Sequence, residues 1–96
     1  MKDLREIKEL IAEHRSELTD LYGVTRIGVF GSYLHGEQDD TSDVDILVEF
    51  VEPIGLEVVD LVELLEGILG ARVDLVTSKG LRPAMKDEIL SEASYV

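Results

Sequence analysis

Cysteine is absent from this 96-residue sequence, and so are long apolar runs. Without cysteine the chain has no disulfide framework and no thiolate zinc site. No apolar run approaches the ~20 residues that a membrane span requires, and the N-terminus lacks the apolar stretch of a signal peptide. These absences predict a cytoplasmic protein without membrane association. The length predicts a single domain over residues 1–96.

Positive charge is also scarce. The sequence has 21 Asp and Glu against 9 Lys and Arg, which gives a formal net charge of −12. No Lys or Arg lies between Arg26 and Arg72, and the eleven acids of residues 36–66 account for nearly all of the net charge. An acidic surface repels phosphate backbones, so we expect no direct non-specific binding of nucleic acid. The acids instead raise the possibility of a divalent cation or a basic partner.

Apolar residues recur first at helical and then at strand spacing along the chain. Gly23 follows the first helical pattern and is a suitable helix end, because glycine accepts a left-handed conformation. The predicted helices cover residues 2–22, Ser32 through Leu34, Leu56–Leu69 and Pro83 to about Ser94, and the predicted strands cover Val24–Phe30, Asp43–Phe50 and Arg72–Thr77. The apolar side of the third helix is predicted to comprise Leu56, Val59, Leu61 or Val62, Leu65 and Leu69.

The element order αβ(α)βαβα restricts the topology. A helix connects the second and third strands, so these strands are predicted to be parallel neighbours with a right-handed connection. Only about a dozen residues connect the first and second strands, which favours an antiparallel pair. The predicted fold class is therefore α/β (α+β), with a small mixed sheet of about three strands flanked by helices.

Acidic residues occur in two of the predicted strands. Asp43 and Asp45 point to the same side because side chains alternate along a strand, and in the parallel register Asp74 falls close to Asp45. Three converging carboxylates suit Mg²⁺ or Mn²⁺ and make a site for two ions geometrically possible. The alternative interpretation is that Asp43 and Asp45 are solvated and that Asp74 pairs structurally with Arg72 or Arg26.

A glycine and a serine follow the first strand. Gly31 and Ser32 open a short helical turn whose free backbone N–H groups and hydroxyl could bind phosphate. The spacing from Gly31 to Gly36 also fits a P-loop, but Glu37 and Gln38 stand where that motif requires Lys and Ser or Thr. We therefore reject the P-loop interpretation.

Taken together, these motifs resemble a known family. Gly31-Ser32, ten further residues, Asp43-Val44-Asp45 and the later strand acid Asp74 are similar to the signature of the DNA polymerase beta-like nucleotidyltransferase superfamily. The short chain resembles its minimal nucleotidyltransferase branch, the antitoxin partners of HEPN-domain toxins. The resemblance covers nearly the whole chain and implies the polymerase beta-like nucleotidyltransferase fold.

The resemblance implies a role for each residue of the motif. Asp43 and Asp45 would hold the ion that binds the nucleoside triphosphate, and Asp45 and Asp74 would share a second ion. Asp74, or the metal itself, would help to deprotonate the acceptor hydroxyl. Gly31 and Ser32 would orient the β- and γ-phosphates of the nucleotide. The implied cofactor is Mg²⁺, with Mn²⁺ possible, and the implied substrate is ATP.

The resemblance also implies a partner and an activity. The expected reaction transfers AMP from ATP to a tyrosine hydroxyl of a HEPN-type ribonuclease toxin, so the protein would act as an antitoxin. Two alternatives stay open: a non-catalytic antitoxin that neutralises its toxin by binding, and a nucleotidyltransferase that acts on a small molecule. The small-molecule enzymes usually need an additional domain to shape the acceptor pocket.

Two features fall outside the motif. His35 stands where members of the family often have Arg or Lys, and a neutral imidazole cannot replace a permanent charge near triphosphate. We therefore expect a lower or pH-dependent nucleotide affinity unless His35 is an ordinary loop residue. The helix predicted over Leu56–Leu69 has an acid every three residues, at Glu57, Asp60, Glu63 and Glu66. These acids predict either a solvated surface or a contact with a basic partner.

Overall fold

The computed structural model describes residues 2–96, so Met1 of the predicted domain lies outside the described residues. The helices are α1 (Leu4–Glu13), α2 (Arg15–Tyr22), α3 (Ser32–His35), α4 (Glu57–Leu69) and α5 (Pro83–Glu92). The strands are β1 (Val24–Phe30), β2 (Val44–Phe50), β3 (Val73–Thr77) and β4 (Ser94–Tyr95), and a 3₁₀ turn covers Ser78–Gly80. No helix within residues 2–96 is long and apolar enough to cross a membrane.

The strands form one mixed sheet in the order β3-β2-β1-β4. β1 is antiparallel to β2, and β2 is parallel to β3, as the connection lengths predicted. The predicted fold class is therefore confirmed. The sheet is one strand wider than expected because β4 pairs antiparallel with β1 at Gly28 and Val29.

The end of the last helix was predicted too late. We expected a helix to about Ser94, but α5 ends at Glu92 and the chain turns at Ala93 into β4. The Tyr95 hydroxyl donates to the carbonyl of Leu90 at 2.7 Å, which holds the turned chain against α5. Gly28 leaves room for the Tyr95 ring, since a Cβ on Gly28 would lie 2.9 Å from the ring atom Cδ1. This tertiary contact overrides the helical pattern.

The predicted helix over residues 2–22 is in fact two helices. The chain breaks at His14, where Nδ1 lies 2.9 Å from the carbonyl oxygen of Leu10. Arg15 donates from its guanidinium to the carbonyls of Val24 and Thr25, which draws α2 toward the start of β1. α2 ends, as predicted, at Gly23, which has a left-handed conformation (φ 70°).

The hydrophobic core lies between one face of the sheet and the helices α1, α2 and α4. α1 and α4 each bury aliphatic side chains one helical turn apart, α2 buries Leu18, and β1 and β2 supply the opposing side chains. The fully buried residues of this core are Ile7, Ile11, Leu18, Val24, Ile27, Val29, Val44, Ile46, Val48, Leu61, Leu65 and Leu69. Leu47 is also buried but points to the opposite face of the sheet. Because side chains alternate along β2, Asp45 points to the opposite face of the sheet from Val44 and Ile46.

The apolar side of α4 was predicted only in part. Leu61, Leu65 and Leu69, spaced four residues apart, are fully buried. Leu56 and Val59, which we expected beside them, are 89% and 54% exposed. Leu56 precedes the first helical residue, Glu57, so it lies beyond the part of the helix that packs on the sheet.

Candidate active site

Two of the three predicted acids lie side by side on adjacent strands. Asp45 of β2 is the register partner of Asp74 of β3 in the parallel pairing. Residues opposite one another in a sheet project to the same face, so their carboxylates lie on the face that the core leaves open. Asp45 is partly buried there, whereas Asp74 is exposed.

The environment of Asp45 is unfavourable for its negative charge. Burial raises the pKa of Asp45 from 3.8 to about 6, and the neighbouring charges of Asp74 and Asp43 contribute in the same direction. A hydrogen bond with Asp74 further favours the protonated form. A site that crowds carboxylates in this way has a strong electrostatic preference for a positive ion.

Asp43 is held by a positive side chain. It lies just before β2, and its Oδ1 is 3.1 Å from Nε of Arg72, which lies just before β3. Both side chains are substantially exposed. The alternative prediction, in which Asp74 pairs with Arg72 or Arg26, is not observed, because Arg26 lies 3.8 Å from Glu49 instead.

The acids have the chemistry to hold a divalent cation, although Asp43 also contacts Arg72. Among residues 2–96 there is no group of three or more acidic, His or Cys side chains already placed to hold a metal ion. Asp45 and Asp74 supply hard oxygen atoms of the kind that Mg²⁺ and Mn²⁺ prefer. Asp43 can join them by releasing its contact with Arg72. An exposed ion pair contributes only about 0.2–1 kcal/mol, so its release costs little.

Gly31 lies directly against Asp45, one member of this acidic pair. It follows Phe30, the antiparallel register partner of Asp45, and has φ 71° and ψ −146°, a region almost restricted to glycine. A Cβ at this position would overlap the Asp45 carboxylate and lie 2.9 Å from its Cγ. Ser32 begins α3 immediately afterwards, so the glycine and serine of the motif lie beside Asp45.

The loop before β2 is held by a side chain that the sequence reasoning missed. The Asp39 carboxylate accepts hydrogen bonds from the Thr41 N–H at 2.8 Å and from the Thr41 hydroxyl at 2.7 Å. These bonds and those with Ser42 lower the pKa of Asp39. Asp followed two residues later by Thr is a pattern typical of such turns, so the sequence did contain the signal. Asp39 thereby fixes the conformation of the loop that leads to Asp43.

His35 lies at the end of α3, and its imidazole is about half exposed. Its Nε2 is 3.9 Å from a carboxylate oxygen of Glu92 on α5, which forms an ion pair only when the imidazole is protonated. The structure therefore places His35 toward α5.

The fold and the site together define a class of protein. A mixed sheet with paired carboxylates, beside a Gly-Ser turn at the end of the first strand, is the arrangement expected of a nucleotidyltransferase. Residues 11–96 match the sequence model of the nucleotidyltransferase domain family. This chain belongs to that family, which confirms the resemblance drawn from the motif, and it is a nucleotidyltransferase.

Known proteins similar to this chain agree with that assignment. The protein adenylyltransferase MntA of Thermococcus cleftensis is 46% identical over 97 residues, covering 100% of this chain and 98% of the relative. A solved structure described as a minimal nucleotidyltransferase is 38% identical, with a TM-score of 0.82, and the match covers 97% of this chain and 95% of the other.

A more distant solved structure shows the same fold. A toxin–antitoxin complex with AMP-PNP has a chain that is 22% identical, with a TM-score of 0.70, and the match covers 98% of this chain and 72% of that one.

Proposed function

We propose that this protein transfers AMP from ATP to a hydroxyl group of a partner protein. The observation that carries the proposal is the pairing of Asp45 with Asp74 directly beside Gly31. The similarity to the adenylyltransferase of Thermococcus cleftensis supports a nucleotide donor that contains adenine and a protein acceptor.

The proposed reaction is a displacement at the α-phosphorus of ATP. The acceptor oxygen forms a bond to the α-phosphorus, the bond from that phosphorus to the bridging oxygen breaks, and pyrophosphate leaves. The acceptor proton passes to a nearby base. Asp74 suits this role because its carboxylate is exposed and lies beside Asp45. The backbone N–H groups at Gly31 and Ser32 would hold the β- and γ-phosphates.

A divalent cation is part of this proposal. Asp43, Asp45 and Asp74 are the side chains that would hold Mg²⁺, or Mn²⁺ in its place. When bound, the ion offsets the charge of the triphosphate and stabilises the charge that develops on the leaving group. The protein supplies the crowded carboxylates that make a cation favourable, as the raised pKa of Asp45 indicates.

The proposed acceptor is a tyrosine of a HEPN-domain ribonuclease toxin, and this protein would be the matching antitoxin. Support comes from the solved complex of a HEPN toxin with a minimal nucleotidyltransferase (MNT) antitoxin, in which the toxin is described as tri-AMPylated. At 18% identity that complex supports the fold, and the partner is inferred from it by analogy.

The second candidate function is neutralisation by binding alone. The observation that favours it is the contact between Asp43 and Arg72, which engages one of the three acids with a positive side chain. In this case the protein would bind its partner without modifying it.

Intact-mass measurement separates the two candidates. The protein is incubated with ATP, Mg²⁺ and the protein encoded beside it, and Asp74→Asn serves as the inactive control. We expect the partner to gain the mass of one or more AMP units with the unaltered enzyme only. Stable complex formation with no gain in mass would contradict the transfer reaction and favour the binding function.

A further inference from the structure

We propose that the partner protein docks on the outer surface of α4, through a partner face that has an apolar centre and a basic rim. We define this α4 outer surface by Leu56, Val59, Asp60 and Glu63 on one side of the helix, together with Val51 in the segment that leads into it. This inference rests on the proposed function in one respect: the partner is the protein that accepts AMP.

Large apolar side chains are exposed on this surface. Val51, Leu56 and Val59 are 71%, 89% and 54% exposed, which makes them three of the five large apolar residues that are exposed in the described chain. They belong to the segment that leaves β2 and enters α4. Clusters of exposed apolar residues are typical of binding surfaces, whereas single ones are common anywhere on a protein.

Leu56 is poorly suited to its position as far as folding is concerned. It occupies the N-cap of α4, where no side chain caps the helix. Leucine is among the weakest N-cap residues, since it cannot accept a hydrogen bond from the free N–H groups. Being 89% exposed, it also contributes almost nothing to the core. A residue that serves neither capping nor packing within this chain is free to contact a partner.

The charges on this surface identify the kind of partner. Asp60 and Glu63 lie beside Val59 on the exposed side of α4, and within residues 2–96 neither is in an ion pair. The helix α1 differs, because there Arg5 pairs with Glu9 at 3.1 Å. No Lys or Arg lies between Arg26 and Arg72 to neutralise the acids of α4. A partner with Lys or Arg around an apolar centre supplies the missing positive charge.

A cavity next to these residues offers a place for a partner side chain. It has a volume of about 430 Å³, and its lining includes the apolar residues Phe50, Pro53, Ile54 and Val58 and the charged residues Glu49 and Lys79. That volume lies within the range of ~300–1,000 Å³ seen for ligand pockets, so a large aliphatic or aromatic side chain fits.

Docking here would leave the catalytic acids accessible. Asp45 lies near the start of β2 and Val51 just beyond its end, roughly 20 Å apart at the rise of an extended strand. α4 also packs on the face of the sheet opposite to the Asp45 side chain. Partner binding and nucleotide binding are therefore separable by mutation.

The test compares two double variants that have the same chemistry on different helices. Val59→Ser with Glu63→Lys changes the α4 outer surface. Glu17→Lys with Leu21→Ser is the control on α2, where it likewise replaces an exposed apolar residue by serine and a glutamate by lysine; Leu21 is 64% exposed. Binding to the protein encoded beside this chain is measured by biolayer interferometry at low and high salt. Circular dichroism melts confirm that both variants fold.

We expect the α4 variant to weaken binding about tenfold or more, as loss of an interface anchor does. It should also lose most of the salt dependence of the association rate. The α2 variant should bind like the unaltered protein. The inference is overturned if the two variants bind alike, or if the unaltered protein does not bind this partner.

The same samples distinguish this inference from the proposed transfer reaction. Loss of binding in the α4 variant, together with no AMP transfer by the unaltered protein, supports the docking surface and refutes the transfer. Normal binding by the α4 variant, together with AMP transfer by the unaltered protein, refutes the docking surface and supports the transfer.

Discussion

Replacing Asp45 by asparagine should stabilise the protein at neutral pH while abolishing its activity. Asp45 is partly buried beside Asp74 and near Asp43, so its negative charge is poorly accommodated in the folded state. Asparagine has nearly the same shape and carries no charge. The stabilisation arises because a functional site holds a charge that folding alone disfavours.

The magnitude follows from the pKa. A rise from 3.8 to about 6 in the pKa of Asp45 corresponds to about 3 kcal/mol of unfavourable free energy for the ionised form. Solvent screens part of this, since the side chain is only partly buried, so we expect about 1–2 kcal/mol. For a domain of this size that amounts to an increase of roughly 5–10 °C in Tm.

The pH dependence has a definite sign. Because the folded-state pKa of Asp45 is raised, its favourable contribution is fully present below pH 3.8 and is lost as pH rises to about 6. The free energy of unfolding of Asp45→Asn should therefore approach that of the unaltered protein near pH 4 and exceed it above pH 6. Urea unfolding at a series of pH values, without divalent cations, measures this difference.

Asp40→Asn is the matched control, because Asp40 is an exposed acid in the loop before β2. We expect no comparable gain from it. The reasoning about Asp45 would be refuted by a variant that is less stable than the unaltered protein at pH 7, or by a difference that does not change between pH 4 and pH 7.

Three further predictions concern neighbouring residues. Asp43→Asn and Asp74→Asn should each reduce AMP transfer about a hundredfold or more, with circular dichroism melts close to those of the unaltered protein; full activity in both would contradict the catalytic assignment. Gly31→Ala should lower the free energy of unfolding by about 1–3 kcal/mol, measured in urea. It should also reduce nucleotide affinity, because a Cβ there overlaps the Asp45 carboxylate. The control Gly36→Ala, at a similar φ but with open space around it, should reduce stability without reducing nucleotide affinity. Arg72→Gln should raise Mn²⁺ affinity about two- to fivefold, because it releases Asp43. Calorimetry measures this affinity, with Arg5→Gln as the control. Weaker Mn²⁺ binding would show instead that Arg72 orients Asp43 for the metal.

Much of the sheet could be predicted from connection lengths and side-chain alternation. The helical connection between β2 and β3 requires parallel strands, and that register brings Asp45 opposite Asp74. The short connection between β1 and β2 requires antiparallel strands, which brings Gly31 to Asp45. Both orientations follow from the length and type of the connection between neighbouring strands, which can be read directly from the sequence.

The features that could not be predicted depend on tertiary contacts. The break at His14 follows from hydrogen bonds between Arg15 and the start of β1. β4 forms because Tyr95 packs on Gly28, which is distant in sequence. The contact of Arg72 with Asp43 joins residues 29 positions apart and depends on the register of β2 and β3. Periodicity within a single segment contains no information about such pairs.

Labelling of the two ends of the triphosphate tests the central claim most directly. The protein is incubated with Mg²⁺ and its proposed HEPN-domain partner, with ATP radiolabelled on either the α- or the γ-phosphate. Our account predicts that the α-label, but not the γ-label, becomes covalently attached to the partner, and that Asp74→Asn abolishes the attachment. Transfer of the γ-label, or of neither label, would contradict the assignment of Asp43, Asp45 and Asp74 to nucleotidyl transfer.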